Sequence, residues 1–312
     1  MTVTVLYLGG AGRSGTTLLE RMLSQSPGTI GLGEVVHLGV RGLGDDERCG
    51  CGEPFSTCAS WTKVGAVAFG GWNQIDGNEW RRLQASVDRN RQLPLLFAPL
   101  FPGFRRRLRR HAAHLSAVYR AAAEVGGADV VIDSSKHAST AFLLRHVPGI
   151  EVCVVHMVRD SRGVAHSWTK EIERPEVRDE PTLMPRFHPA MAAAWWLFFN
   201  AAFHVVGWLG TRRVFLRYED LVNDPRRELT RVLLAAGKDD EQIDLSFLDE
   251  GGVRLGTDHL VAGNPMRFRT GRIDLRRDEA WRTDLAPSHR RIVTALTAPL
   301  LAAYGYLRSP RS

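Results

Sequence analysis

The sequence predicts a single-domain α/β fold with a central parallel sheet flanked by helices. Three observations predict it. Short apolar, β-branched runs alternate along the 312 residues with segments of helical periodicity, a pattern typical of a parallel sheet covered on both faces. A glycine-rich turn follows the first of these runs. No linker-like stretch divides the chain, so we expect residues 1–312 to form one domain.

The predicted elements follow one another as strand and helix. Residues 3–8 indicate a buried strand, and Leu18, Leu19 and Met22 are spaced as on a helix after the turn. Later strands are predicted over residues 130–132, 152–158 and 213–216, and later helices over residues 139–146, over residues 161–170 and from residue 224 onward. Because strands and helices alternate, we expect right-handed crossovers between parallel strands.

Two segments interrupt this alternation. Residues 41–71 are rich in glycine and cysteine, and we expect an irregular, cysteine-containing insert there. Residues 171–189 hold four prolines and mixed charges. Because long loops without a core of their own are usually functional or disordered, we expect this second segment to be a lid.

The stretch over residues 190–210 is almost without charge. About 20 apolar residues suffice to span a membrane, but this stretch is rich in alanine and carries Asn200 and His204 near its middle. We therefore expect a helix buried against the sheet, with no integral membrane span. The aromatic residues expected in the core, rather than against a substrate, are Trp195, Trp196 and Phe199.

A basic run at residues 105–110 opens a further predicted helix. Its apolar positions follow helical spacing, so the charged face is expected to be solvated. The side chains expected to face inward are Phe104, Leu108, Leu115 and Val118.

The composition excludes several classes of protein. The chain carries 41 Lys+Arg against 34 Asp+Glu, a net charge of +7, and 44% apolar residues, which excludes disordered and fibrous classes. The basic excess is weak evidence for polyanions, and we expect no nucleic-acid partner. Four cysteines are too few for a disulfide scaffold. Because no basic region precedes the first apolar run, a cytoplasmic location with reduced thiols is expected.

The turn after the first strand keeps most of a Walker phosphate loop. Gly10 and Gly15 have the spacing of G-x-x-x-x-G-K-[ST], Thr17 fills the Ser/Thr position, and Thr16 stands in place of the lysine. Backbone N–H groups and a helix N-terminus are retained for one anionic group. The fold is therefore predicted to be P-loop nucleotide-binding-like, while the missing lysine disfavours a kinase or nucleotide hydrolase.

Residues 12–19, Gly-Arg-Ser-Gly-Thr-Thr-Leu-Leu, resemble the 5′-phosphosulfate loop of sulfotransferases that use 3′-phosphoadenosine 5′-phosphosulfate (PAPS). Arg13 stands where the cytosolic branch of that family has lysine, so the loop is closer to the tyrosylprotein branch and to bacterial members. Three later segments resemble the family in the same order. They are residues 158–167, residues 217–225, and residues 263–271 with Trp281 after them.

The resemblance implies which residues bind the donor. Arg159 and Ser167 are eight residues apart and match the pair that binds the 3′-phosphate. The phosphosulfate loop implies donor contacts from Gly12, Arg13, Ser14, Gly15, Thr16 and Thr17. The C-terminal segment implies Arg267, Arg269 and Gly271.

The resemblance also implies an activity, which is transfer of the sulfuryl group of PAPS to a hydroxyl of a small-molecule, carbohydrate or lipid acceptor by in-line displacement. In the related phosphoryl transfer, positioning and charge neutralisation do most of the work. Arg13 and Lys136 are the expected cationic catalytic residues, so no metal is expected to be required. The sequence leaves the acceptor, peripheral membrane contact and the oligomeric state open.

Glu34 is the preferred catalytic base. It follows the first helix in a Gly-Glu pair, and the tyrosylprotein branch has such a pair, with the Glu as its proposed base, at the equivalent distance. Desolvation in a closed cleft is expected to raise the pKa of this carboxyl group. His37 and His137 are alternative bases, although His137 directly follows Lys136, one residue out of step with the cytosolic branch.

Cys49, Cys51 and Cys58 form a C-x-C…C pattern with His37 upstream. Zinc sites usually have C-x₂₋₄-C spacing and four ligands, so we predict no metal site.

Two other classes of function stay open. A P-loop kinase or nucleotide hydrolase predicts ATP turnover with Mg²⁺. A non-catalytic basic module predicts salt-sensitive polyanion binding, but it leaves the phosphate loop and the pair of Arg159 and Ser167 unexplained.

Overall fold

Five parallel strands form the centre of the protein. In this computed structural model, which describes residues 2–97, 101–177, 182–208 and 210–307, the spatial order is the second, third, first, fourth and fifth strand of the chain. They are β1 (Val3–Gly9), β2 (Thr29–Gly31), β3 (Val130–Lys136), β4 (Ile150–Val158) and β5 (Arg212–Arg217). The predicted α/β fold with a central parallel sheet is confirmed.

A second, antiparallel sheet of three short strands lies near the C-terminal end of the described chain. Its strands are β6 (Leu248–Asp249), β7 (Gly252–Leu255) and β8 (Gly271–Asp274). Neither this sheet nor β2 is predicted from the sequence, because runs of two to four residues carry too little periodicity.

Helices cover both faces of the central sheet. They are α1 (Thr16–Leu23), α2 (Ala59–Phe69), α3 (Gly77–Val87), α4 (Leu93–Phe97), α5 (Pro102–Gly126), α6 (Ala138–Leu143), α7 (Ser161–Ser167), α8 (Pro189–Trp208), α9 (Tyr218–Asn223), α10 (Pro225–Ala235), α11 (Trp281–Asp284) and α12 (Pro287–Ala303). The helix predicted over residues 161–170 ends at Ser167, and the four predicted strands are present with extended ends.

The central strand β1 shows why its residues are apolar on both sides. Val5 and Tyr7 point into the core that contains α5, whereas Leu6 and Leu8 point into the core that contains α1 and α10. All four side chains are fully buried. A strand buried on both faces needs a continuous apolar run rather than an alternating one.

The helix predicted at the basic run is α5. Its predicted inward residues are buried, and the arginines of the run are mostly exposed. The cysteine-containing insert is less irregular than expected, since α2 occupies residues 59–69 of it. Gly65 faces Trp72 in that helix, and a Cβ atom there would lie 2.4 Å from the indole nitrogen. Gly65 thus serves close packing rather than a loop.

The apolar helix α8 is buried on one face only. Trp196 and Phe203 are fully buried against the rest of the protein, whereas Phe198 and Trp208 are 53% and 80% exposed. Of the described helices, α8 alone is long and apolar enough to cross a membrane. An 18-residue stretch of it has a mean hydropathy of 1.4, and 39% of that stretch is buried. The core helix of a soluble protein can have the same length and apolar composition, so these properties alone are weak evidence for a membrane span.

The carboxyl ends of the five parallel strands lie at one edge of the sheet. The phosphate loop follows the central strand β1, and the chain leaves β3 and β4 on either side of it. Such a position, where neighbouring strands are followed by connections in opposite directions, is where open α/β sheets bind ligands.

Candidate active site

The phosphate loop connects β1 to α1. Gly10 has a φ of 132°, and a Cβ atom there would lie 2.1 Å from the carbonyl oxygen of Met157 on β4, so only glycine allows this close approach. The buried hydroxyl of Ser14 has no hydrogen-bond partner among the described residues. An unpaired buried hydroxyl beside a helix N-terminus suits an anionic ligand. The buried residues of the loop and the first turn include Ser14, Thr16 and Thr17.

Arg13 lies in this loop, with its backbone in the left-handed region at φ 69°. Its guanidinium carbon lies 4.7 Å from the ring centre of Trp168, and Nη2 lies 3.1 Å from Sδ of Met184. Burial lowers the pKa of Arg13 from its ordinary value. Met184 belongs to the predicted lid, residues 171–189, of which residues 178–181 lie outside the described chain. The described part of the lid therefore touches the arginine of the phosphate loop.

Glu34 lies beside the phosphate loop although it is distant in sequence. The preceding Gly33 has a φ of 80°, and a Cβ atom there would lie 2.6 Å from the carbonyl oxygen of Ala262. A Cβ atom on Gly263 would lie 3.7 Å from Oε1 of Glu34 and 3.6 Å from Oγ1 of Thr17. The carboxylate and the first turn of α1 thus border the same small space.

Lys136 ends β3 and pairs with Gly9, where the phosphate loop starts. Its φ of 65° is uncommon for a residue with a side chain. Its amine forms an ion pair with Oε1 of Glu34 and donates to the carbonyl oxygen of Ser134 at 3.1 Å. Burial raises the pKa of Glu34, but Lys136 and His37 together lower it further, so it lies well below the ordinary value. The expected upward shift is wrong because the carboxylate is already paired.

The two alternative bases lie close to Glu34. Nε2 of His37 is 3.3 Å from Oε2 of Glu34. The rings of His37 and His137 are 6.4 Å apart, and burial lowers the pKa of His137 to about 4. At neutral pH, His137 is therefore uncharged, whereas Glu34 is ionised.

Arg159 follows β4, and its side chain turns toward the phosphate loop. Nη1 donates to the carbonyl oxygen of Arg13 at 3.4 Å, and Nη2 lies 3.0 Å from Oδ2 of Asp278. The guanidinium carbon is 4.7 Å from the ring centre of Tyr218. Arg159 thus already holds an anion, the Asp278 carboxylate, at the position where a phosphate is predicted.

The predicted partner of Arg159 and the C-terminal residues differ in how they are placed. Ser167 is the last residue of α7 and is partly buried. Arg267 is fully buried, and its guanidinium donates to the carbonyl oxygens of Gly263 at 2.7 Å and Arg48 at 3.2 Å. These bonds hold the loop that borders Glu34. The remaining predicted donor residues, Arg269 and Gly271, are exposed.

Two charged residues of α1 position the site and are not predicted from the sequence. Glu20 is fully buried and accepts hydrogen bonds from the backbone N–H of Gly33 at 2.7 Å and from the hydroxyl of Ser134 at 2.6 Å. Arg21 is also fully buried and pairs with Asp258 at 2.7 Å. An adjacent pair of charges within an otherwise apolar helix is the sequence signal that could have indicated them. The backbone carbonyls that Arg21 also binds are those of Gly256, Met266 and Arg269.

Burial raises the pKa of Glu20 to about 8, so folding favours its protonated form. Its contribution to stability is full below the pKa of the unfolded chain and is lost as the pH rises through 8. Glu20→Gln keeps the shape without the titration. Between pH 6 and pH 9, urea unfolding should therefore show the natural chain losing on the order of 2–3 kcal/mol more stability than the variant. An equal loss in both chains would contradict the burial of an acidic group here.

A small aromatic cavity adjoins the phosphate loop. Trp195 is 52% exposed and stacks on Phe187 at 6.0 Å between ring centres. Trp196, by contrast, is fully buried and donates from Nε1 to the carbonyl oxygen of Arg159 at 2.9 Å. The prediction of a core role is therefore confirmed for Trp196 and wrong for Trp195. The cavity is lined by Ala11, Gly12, Val164, Trp168, Phe187, Ala192, Trp195, Trp196 and Phe199.

The three cysteines of the insert lie together outside this cleft. His259, not His37, is the histidine beside them, since its Nδ1 lies 3.2 Å from Sγ of Cys58. The prediction of no metal site rested on the poor spacing of the cysteines and on the need for four ligands. It stays a prediction, but the fold brings His259, a possible fourth ligand, to the cysteines from 201 residues away.

A family model described as "Sulfotransferase family" matches residues 6–242, a span that begins within β1 and includes β2 to β5 and α1 to α10. The chain belongs to the sulfotransferase family. The sulfotransferase fold and a transferase activity follow from this membership. The match covers the phosphate loop, Glu34, Lys136 and Arg159, and it ends before the loop that carries Arg267.

Solved structures similar to this sulfotransferase include two domains of biosynthetic enzymes. The sulfotransferase domain from the Synechococcus PCC 7002 olefin synthase is 19% identical, with 96% of this chain and 94% of that chain covered at a TM-score of 0.47. The sulfotransferase domain from the curacin biosynthetic pathway is 14% identical, with 96% and 98% covered at a TM-score of 0.47. A search of the curated proteins finds no match.

Proposed function

We propose that this sulfotransferase moves the sulfuryl group of PAPS to a hydroxyl of a small-molecule, carbohydrate or lipid acceptor. The observation that carries the proposal is the ion pair of Glu34 and Lys136 beside the phosphate loop. A base and a cation beside the phosphate loop support a reaction that needs both. Family membership supports the reaction, and the remaining support comes from the chain's own residues.

The residues of the phosphate loop fit the 5′-phosphosulfate end of such a donor. The hydroxyl of Ser14 and Nε of Arg13 are both buried without a hydrogen-bond partner in the described chain. Backbone N–H groups at the start of α1 supply further donors for an anion. When bound, PAPS supplies an activated sulfuryl group and a phosphate leaving group.

The other end of the donor fits Arg159. Its guanidinium holds the Asp278 carboxylate and stacks on Tyr218, and a guanidinium binds phosphate in the same planar manner as carboxylate. A 3′-phosphate at this position replaces Asp278, so we propose that the donor competes with an internal anion.

In the proposed reaction, Glu34 accepts the proton of the acceptor hydroxyl. Lys136 and Arg13 neutralise the oxygens on which negative charge accumulates. As Lys136 turns from Glu34 toward those oxygens, the carboxylate loses its main opposing charge, and its pKa rises toward that of a useful base. Lys136 thus keeps the pKa of Glu34 low before the donor binds and no longer lowers it afterwards.

The aromatic cavity supports an acceptor with an apolar body. Ala11 and Gly12 of the phosphate loop line it, together with the stacked rings of Trp195 and Phe187. The cavity has a volume of about 40 Å³, so it would take a small apolar group at one end of the acceptor. Sugars without an apolar aglycone would gain little there.

The test is transfer of labelled sulfate from PAPS to a panel of hydroxylated compounds, graded from sugars to apolar alcohols. We expect transfer without added Mg²⁺, and best with apolar acceptors. Hydrolysis of ATP with Mg²⁺ and no sulfate transfer would contradict the proposal in favour of a kinase or nucleotide hydrolase.

Arg159→Ala is expected to weaken binding of adenosine 3′,5′-bisphosphate by about 10- to 100-fold, since a charge-assisted bond is worth about 1.5–3 kcal/mol. Binding of adenosine 5′-phosphate should change far less. Asp278→Asn should strengthen bisphosphate binding because it removes the competing carboxylate. Calorimetry measures both, and the exposed Arg227→Ala is the control. Equal weakening for the two nucleotides would contradict the assignment of Arg159 to the 3′-phosphate.

A further inference from the structure

Four side chains that can bind metal lie close together. They are Cys49, Cys51 and Cys58 of the insert and His259. Sγ of Cys58 lies 3.6 Å from Sγ of Cys49, 3.7 Å from Sγ of Cys51 and 3.2 Å from Nδ1 of His259. Sγ of Cys49 is 4.0 Å from the same nitrogen, and all four ligand atoms lie within 4.8 Å of one another.

These distances match the edges of a zinc tetrahedron. With Zn–S bonds of about 2.3 Å and a Zn–N bond of about 2.0 Å, tetrahedral geometry places ligand atoms about 3.5–3.8 Å apart. A disulfide needs sulfurs about 2.05 Å apart, and all four cysteines of the chain are free. The cluster therefore has the spacing of a metal site and not of a disulfide.

We propose that Cys49, Cys51, Cys58 and His259 bind one structural Zn²⁺. Three thiolates and an imidazole are a soft ligand set that suits zinc. Four protein ligands complete a tetrahedron, so the ion has no open position for substrate, and it serves structure rather than catalysis.

The surrounding backbone holds the ligands in place without the metal. The N–H of Cys49 donates to the carbonyl oxygen of Glu53 at 2.8 Å, which closes the turn that carries Cys51. On the other side, Nε1 of Trp61 donates to the carbonyl oxygen of His259 at 2.8 Å. Cys49 and Cys58 are fully buried, whereas Cys51 and His259 are partly exposed. The exposed side provides a path for the ion.

The site would tie the insert to the wall of the catalytic cleft. His259 precedes Val261 and Ala262, whose backbone pairs with Leu32 and Glu34. A metal that fixes His259 relative to the insert therefore also fixes the backbone beside Glu34. The inference does not depend on the donor or acceptor, because it concerns ligands outside the cleft.

The test is the metal content of the purified full-length chain by elemental analysis. We expect about one zinc per chain, lost in Cys49→Ser, Cys51→Ser, Cys58→Ser and His259→Ala. Cys153→Ala is the matched control, since this remaining cysteine is buried in β4, and it should keep the zinc. His37→Gln should keep it as well.

A second measurement uses the unmodified chain, so it does not depend on whether the variants fold. After removal of zinc with a chelator, added Co²⁺ should give the ligand-field and thiolate charge-transfer bands of a tetrahedral site.

A third measurement uses a variant that keeps a zinc ligand at residue 259. His259→Cys, which replaces one zinc ligand by another, should restore metal binding that His259→Ala loses. Absence of zinc together with absence of the cobalt bands, or a disulfide within the insert, would overturn the proposal.

Discussion

Glu34→Gln is expected to lower kcat for sulfuryl transfer by about 10²–10⁴, the usual contribution of a general base. Affinity for adenosine 3′,5′-bisphosphate should stay within about threefold, since the proposed role of Glu34 is to take a proton from the acceptor and glutamine keeps its shape. Steady-state kinetics with the best acceptor of the panel, together with calorimetry of the bisphosphate, separates the two effects.

The controls distinguish the base from its neighbours. His37→Gln and His137→Gln should cost far less than Glu34→Gln, and Glu241→Gln, at an exposed position, should cost nothing. If His137→Gln instead removed activity while Glu34→Gln kept it, the base would be the histidine. That histidine is uncharged at neutral pH because burial lowers its pKa to about 4.

Lys136→Met is the second change with a large expected effect. Removal of a charge aimed at developing negative charge costs about 10²–10³ in kcat. It also removes the main charge that lowers the pKa of Glu34 in the free enzyme, so the acidic limb of the pH profile of kcat/KM, which reports the free enzyme, should move to higher pH. The rate and the pH profile are measured on the same preparation.

Lys63→Met, at an exposed lysine of α2, is the matched control and should change neither quantity. Lys136→Arg keeps the charge in a different shape, so it should retain the position of the acidic limb better than it retains kcat. An unshifted acidic limb in Lys136→Met would contradict the coupling between the lysine and Glu34.

The sheet could be predicted because its inner strands β1, β3 and β4 are largely buried. The continuous apolar runs that became β1, β3, β4 and β5 have few other uses in a soluble chain. β2 escaped prediction because three residues show no pattern. The phosphate loop was recognisable because its conformation needs glycine at fixed spacings, as the contact between Gly10 and β4 illustrates.

The rest of the site depends on contacts that are distant in sequence. The roles of Glu20 and Arg21 could not be predicted because their partners lie on segments distant in sequence. His259 could not be assigned to the cysteines for the same reason. The direction of the pKa shift of Glu34 depended on Lys136, and the pairing of β3 with β2, which Glu34 follows, brings that lysine beside it.

The hydrogen bonds of Arg21 affect how the protein unfolds. Its guanidinium joins the first helix to backbone carbonyls of residues 256, 266 and 269, beyond the end of the family match at residue 242. Opening of the late segment would strand a buried cation, at a cost of several kcal/mol. Amide hydrogens of both regions should therefore exchange with solvent together, as one cooperative unit. Deletion of residues 256–269 should loosen the first helix as well.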